Sequence, residues 1–354
     1  MSNTSPVSSP RSSWWPLVRY ALGVALGVLV LVVLFAQRSN LRSAWHELAY
    51  VNAWWLLGAA VAETCSIFVF GLLQRWLLRV GGATLGLVAL FGISLANNAI
   101  ANTVPGEPAV SSAFRYREYR RRGSSGAGSS WAILTIIIAQ AIGMSSLLLV
   151  GVIVTLATSA NASITGVALV GVAVILLAGV VLVRRDLLLW FLRAVVRAAQ
   201  RLTGHPRGDV AVRTLALIER MREIQLGPFA TVGVIALATG VWALDLACLL
   251  LAFVAVHAPI PWHGVILAYG AAQIVAVLPI VPGGLGLVEG GLTVVLVAYG
   301  STRVHALTSV LVYRAISFWL AVAVGWTSFG LLAAIARRAR RRATVLANDE
   351  RAED

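Results

Sequence analysis

Long apolar runs, separated by clusters of arginine, set the terms for this chain. Apolar segments lie near 17–36, 53–73, 85–104, 131–157, 161–183, 228–256, 264–281, 284–299 and 306–336. A helix needs about 20 such residues to cross a bilayer. In lipid each backbone N–H and C=O must be paired inside the protein, so these runs fold as helices. The chain is 59% hydrophobic and 12% charged, with a mean hydropathy of +0.86. A soluble domain carries about 25% charged residues. The expected fold is an all-α polytopic membrane protein with about seven to eight transmembrane helices plus re-entrant hairpins.

All 28 basic residues are arginine and the net charge is +14. Most of them lie outside the apolar spans, in loops and in the tail, as the positive-inside rule predicts, so no nucleic-acid partner is expected. Cys65 and Cys248 fall inside apolar spans and suggest no disulfide framework. The five histidines show no ligand spacing, and His257 and His263 flank a loop, so neither a metal nor a cofactor is expected. Residues 1–16 read as a disordered cytoplasmic N-terminus, 17–336 as one membrane domain, and 337–354 as a basic-then-acidic cytoplasmic tail. Segment 17–36 reads as an uncleaved first helix, judged by its length and its Gln37-Arg38 flank.

Arginine placement constrains topology. The Arg-rich linker 184–226, the tail, the cluster Arg115 to Arg122, and Arg75 with Arg79 should all be cytoplasmic. Segment 85–104 then cannot cross once; it must enter and return, and Asn97, Asn98, Asn102, Pro105 and Gly106 suit such a turn. Segments 264–281 and 284–299 must likewise leave and return together. They form either two short crossings or a hairpin turning at Pro282-Gly283-Gly284. Within the linker, Arg193, Arg197 and Arg201 share one face of a helix over 187–202, with Trp190 and Phe191 near its membrane end. That reads as an interfacial amphipathic helix or an extension of the preceding span.

Val104-Pro105-Gly106 and Val281-Pro282-Gly283 lie 177 positions apart, and Gly123-Ser124-Ser125 matches Gly300-Ser301-Thr302 at the same offset. The repeats would cover about 53–183 and about 228–336. Their hairpins open to opposite sides, so the repeat is inverted. Inverted repeats with interrupted segments point to a transport site near the bilayer midplane. The competing reading is two unrelated Pro/Gly kinks, which membrane helices tolerate.

The second interruption carries Pro279, Pro282, Gly283, Gly284 and Gly286, followed by Glu289. Arg314, preceded by Tyr313, lies inside the last apolar segment. Charges at that depth are costly without a partner. Glu289 and Arg314 are expected to face one cavity, where arginine would bind a lipid phosphate bidentately and glutamate would orient it or exchange a proton. A purely structural ion pair is the alternative. In the first half Glu107 and Arg115 are the candidate counterparts, with Glu107 equally readable as a solvated loop carboxylate; Asn98 and Asn102 share a face if their segment is helical, and either line the hairpin or tie helices together. Glu63, Asp245 and, more weakly, Gln140 are polar side chains inside apolar segments. The two acids are candidates for proton coupling, or for neutral or arginine-paired carboxyls. No Walker loop, nucleophile elbow or metal spacing is present.

Pro279, Pro282-Gly283-Gly284-Leu285-Gly286, Glu289-Gly290 and Tyr313-Arg314 with Phe318 resemble the closing signature of the flippase-like family. That family is also named for the transmembrane region of lysylphosphatidylglycerol synthase. Asn98, Pro105-Gly106 and Arg115 resemble its earlier motif, although Pro105-Gly106-Glu107-Pro108 replaces the usual Gly-Arg-x-Gly-Glu-like run. The resemblance covers roughly 20–336. It implies a multi-pass bacterial inner-membrane protein that moves lipids between leaflets, and the arginine placement puts both termini in the cytoplasm. The lipid would be an anionic phospholipid or a polyprenyl-phosphate-linked lipid. The sequence ends at Asp354, so the synthase domain and lysyl transfer are not expected. Without an ATP site, transport would be passive, driven by a proton or ion gradient, or dependent on a partner. The alternative function is an accessory protein or scaffold for a lipid or glycan synthase or glycosyltransferase. An intramembrane enzyme would need a second acid near Glu289, with Asp245 and Glu63 as candidates.

Overall fold

The computed structural model describes residues 51–104, 107–158, 224, 226–277 and 282–353. Among them are α1 (Ala53–Val80), α2 (Leu87–Thr103), α3 (Glu107–Arg121), α4 (Gly126–Thr158), α5 (Pro228–Ala255) and α6 (Val265–Val277). A 3-10 turn at Pro282–Gly284 leads to α7 (Leu287–Ala298) and α8 (Arg303–Arg314). A π-helical stretch, Ala315–Leu320, then runs on into α9 (Ala321–Glu353). The described residues contain no strand. Segments 1–16, 17–36, 161–183 and 187–202, with Pro105, Gly106, Pro279 and the Glu107 side chain, lie outside the described residues.

Among the described residues, four helical runs are long and apolar enough to cross a membrane: Ala53–Val80, Gly126–Ala157, Pro228–Ala255 and Arg303–Ile335. Helices α2, α6 and α7 are apolar but have only 17, 13 and 12 residues. At 1.5 Å per residue each is about 25 Å or less, short of the ~30 Å hydrocarbon core.

The two halves match helix for helix. Helix α1 ends with Gly82 at φ 83°, and the Ala83 amide donates to the Leu78 carbonyl. Helix α5 ends with His257 at φ 56°, and the Ala258 amide donates to the Phe253 carbonyl. Both are left-handed caps of the Schellman type. Gly123 and Gly300 both have φ 91°. The next serine amides close the same bond, Ser124 to the Tyr119 carbonyl and Ser301 to the Leu296 carbonyl. Ser125 Oγ then accepts from the Gly128 amide, as Thr302 Oγ1 does from the His305 amide. The sequence match at 123–125 and 300–302 is therefore a match of turn geometry.

Equivalent helices α1 and α5 run antiparallel, as an inverted repeat requires. The Asn52 amide donates to the Ala255 carbonyl at 2.9 Å, and Ser66 Oγ donates to the Val241 carbonyl at 2.9 Å. The other helices pack crosswise between halves. Helix α2 lies against α9, with Ser328 Oγ donating to the Gly92 carbonyl; α6 lies against α4, with Thr155 Oγ1 donating to the His263 carbonyl. Leu73, Leu77, Leu90, Ile93, Tyr119 and Ile136 centre the first-half core. Leu249, Phe253, Tyr269, Leu292 and Leu296 centre the second.

One expectation needs correcting. Segment 85–104 does not turn back within itself: α2 is unbroken to Thr103, and the returning arm is α3. The asparagines do not break the helix because Asn102 Nδ2 donates one turn back to the Asn98 carbonyl at 3.0 Å. Helix α3 was hidden by its arginines, yet Arg120 and Arg121 sit in its last turn, where the helix dipole favours cations. In the second half α6 and α7 pack together across the Pro282–Gly284 turn.

Candidate functional site

The turn before α7 is built from glycine. Gly283 has φ 62° and packs so closely that an added Cβ would lie 2.7 Å from the Asn102 carbonyl oxygen and clash with the Phe318 ring. Asn102 belongs to the last turn of α2, so the tips of the two hairpins meet here. Gly286 caps α7, and its amide donates to Glu289 Oε2 at 2.6 Å. The N-terminal end of α7 thus fixes the Glu289 side chain by a hydrogen bond from its capping residue.

Arg314 closes the site from α8. Its Nε donates to Glu289 Oε1 at 2.7 Å and its Nη2 to the Gly283 carbonyl at 2.8 Å. Its guanidinium carbon lies 4.4 Å from the centre of the Phe318 ring. The Arg314 and Glu289 side chains keep 10% and 17% exposure, so the pair is mostly but not wholly closed. Its Nη1 has no hydrogen-bond partner among the described residues, which leaves arginine donors for an anion. The helix switches to π geometry immediately after Arg314. Such bulges are frequent at functional sites.

Tyr313, one residue earlier, faces a second cluster. Its hydroxyl reaches both oxygens of Asp245, at 3.0 and 3.2 Å. Tyr269 donates to Asp245 Oδ2 at 2.6 Å, and Gln273 Nε2 donates to the same oxygen at 3.0 Å. Glu63 is within hydrogen-bonding contact of Asp245, and Cys248 is near both. Glu63 forms no ion pair with an arginine among the described residues. One of its oxygens, Oε2, is buried without a described partner, as is Oε1 of Gln140. Asp245, Tyr313, Arg314 and Glu289 form a chain of adjacent groups, which places acids on both sides of the arginine.

The first-half candidates divide. Asn98 and Asn102 share a face and bond to each other, beside the second hairpin's turn. Arg115 is buried in α3, and its Nε has no described partner. The structure does not bring it to Arg314's ion pair. It lies instead by Tyr119, whose hydroxyl donates to Gln74 Oε1 at 2.5 Å; Gln74 Nε2 donates to Ser94 Oγ at 2.6 Å. Burial pushes the Tyr119 hydroxyl well above the usual tyrosine range, with Arg115 opposing. Glu118 is buried too and pairs with Arg121 at 2.8 Å and with Arg122.

Sequence reasoning missed Tyr269, Gln273 and the Gln74–Ser94–Tyr119 chain. Tyr269 and Gln273 had a usable signal, two polar groups at i and i+4 on one face of a short apolar helix. A comparison with curated proteins finds no match. The model of the lysylphosphatidylglycerol synthase TM region matches residues 20–325, most of the chain. With its paired broken hairpins and buried Glu289–Arg314 contact, this chain belongs to the family of the lysylphosphatidylglycerol synthase TM region.

Proposed function

We propose that this protein is a lipid flippase or scramblase of the bacterial inner membrane, with both termini in the cytoplasm. Its cargo is an anionic phospholipid or a polyprenyl-phosphate-linked lipid. One observation carries the reading: a buried arginine, held by a carboxylate and a backbone carbonyl, sits where two broken hairpins meet. A phosphate can replace Glu289 on the guanidinium with comparable charge-assisted bonds, so the exchange need not leave Arg314 unpaired. Asn98 and Asn102 lie at the same junction and would offer polar contacts to the headgroup. The acyl or prenyl chains would stay in lipid. Family membership supports a membrane domain of flippase-like type.

The second reading is an accessory protein or scaffold for a lipid or glycan synthase. It is favoured by the satisfaction of both Glu289 oxygens, one by the α7 cap and one by Arg314. The test is leaflet exchange of labelled lipids in proteoliposomes, comparing wild type with Glu289→Gln and Arg314→Ala. The lipids should be phosphatidylglycerol, its aminoacyl form and a polyprenyl phosphate. Exchange by wild type that folded variants lose supports transport through this site. Absence of exchange for all three lipids by folded wild type favours the accessory reading.

A further inference from the structure

Glu63 and Asp245 meet across the antiparallel contact of α1 and α5, near the middle of both helices. Two carboxyls in hydrogen-bonding contact need a proton between them; as two anions they repel. Their partners are unequal. Asp245 accepts from Tyr269, Gln273 and Tyr313. Glu63 is 8% exposed, and its Oε2 has no described partner. Asp245 is thus equipped to be the carboxylate and Glu63 the protonated acid that donates to it.

The surroundings leave few competing groups. Helix α5 adds Cys248, α6 adds Tyr269, and α8 adds Tyr313 and Arg314, whose charge reaches Asp245. Helices α2 and α4 and the π-helical stretch contain no titratable residue. Beyond Arg314 lies Glu289. Glu289 is thus paired with Arg314, Asp245 feels its charge, and Glu63 adjoins Asp245. A lipid phosphate arriving at Arg314 adds another negative charge to this set.

We propose that Glu63 and Asp245 form a proton-binding site that couples proton movement to movement of an anionic lipid headgroup in the same direction. This rests on the lipid-transport reading above. The added phosphate favours retention of the proton, and by linkage the proton favours binding of the phosphate. The loaded form carries both. Glu63 takes the proton from water on the side where the site is open and returns it to water on the other, one proton with each headgroup. The contact Asp245–Tyr313, next to Arg314–Glu289 on the same helix, is the physical link between the two loads.

Two measurements test this on the full chain. The first needs no cargo: infrared spectra of the protein in lipid nanodiscs at neutral pH. A protonated-carboxyl C=O band is expected in wild type and is lost in Glu63→Gln; a wild type without it overturns the proposal. The second uses proteoliposomes with labelled phosphatidylglycerol and an imposed pH gradient. With one-to-one coupling, each pH unit supports about a tenfold leaflet asymmetry in wild type. Glu63→Gln should make whatever exchange remains independent of the gradient. Wild-type exchange that ignores the gradient refutes the coupling and leaves lipid transport standing. No exchange in wild type, with the infrared band present, removes the transport reading and the coupling with it.

Discussion

Gly283→Ala tests the junction of the hairpins most directly. Gly283 has φ 62° and ψ 12°, a left-handed conformation. Alanine there costs about 1–2 kcal/mol in backbone strain. Its Cβ would lie 2.7 Å from the Asn102 carbonyl oxygen and would also strike the Phe318 ring. The ring could swing aside, but the carbonyl belongs to the last turn of α2 and moves only with it. Such overpacking adds roughly 1–3 kcal/mol. The sum is a loss of about 2–5 kcal/mol in unfolding free energy. The same change strains the carbonyl that accepts from Arg314 Nη2, so lipid exchange should fall even where the protein stays folded. The control is Gly290→Ala, on α7, where an added Cβ meets nothing within 4 Å. That change should be neutral or stabilising by about 0.5–1 kcal/mol. Equilibrium unfolding in mixed micelles, followed by circular dichroism, compares the two. Equal stability of both variants would show that the turn is not left-handed or that the hairpin tips do not meet.

Arg314→Ala strips a carboxylate of its partner and should destabilise by up to ~3–5 kcal/mol, less for the remaining exposure. Adding Glu289→Gln should recover much of that loss, and a double-mutant cycle with no coupling would refute the ion pair. Tyr119→Phe leaves Gln74 Oε1, fully buried, without its donor, and should cost about 1–3 kcal/mol in unfolding experiments. Because burial raises the Tyr119 hydroxyl, the folded state keeps a proton that the unfolded state releases above about pH 10. Wild type should therefore lose stability as pH climbs past that point more steeply than Tyr119→Phe, and parallel pH profiles would refute it. His257→Gly relieves a left-handed non-glycine residue at an exposed cap and should stabilise by about 1 kcal/mol in the same assay, where no gain would refute the cap geometry.

The spans were legible because lipid leaves the backbone no alternative to helix. The turn sites were legible for a related reason: Pro and Gly interrupt apolar runs only where the fold needs it. Glu289 and Arg314 stood out as charges at depth, and the structure pairs them. Helix α3 was not legible, because its arginines imitate a loop and its packing depends on buried Tyr119 and Glu118. The asparagines were read as a turn because their side-chain bonds to the preceding helical turn cannot be inferred from residue type alone.

The acid pair shows where more could have been extracted. Glu63 and Asp245 are far apart in sequence, and no motif spacing joins them. An inverted repeat, however, places its equivalent helices antiparallel about the axis that relates them. Each step up α1 is then matched by one step down α5. Asn52 meets Ala255, and Ser66 meets Val241 the same number of steps along. By that register Glu63 falls opposite Leu244, one residue from Asp245. Once the repeat is accepted, the contact is a consequence of topology. The helices it joins also carry the Arg314 site on their neighbour α8, through Tyr313. A proton site at the axis and an anion site beside it are what a carrier built from two opposed halves can best use, since both stay central whichever half moves.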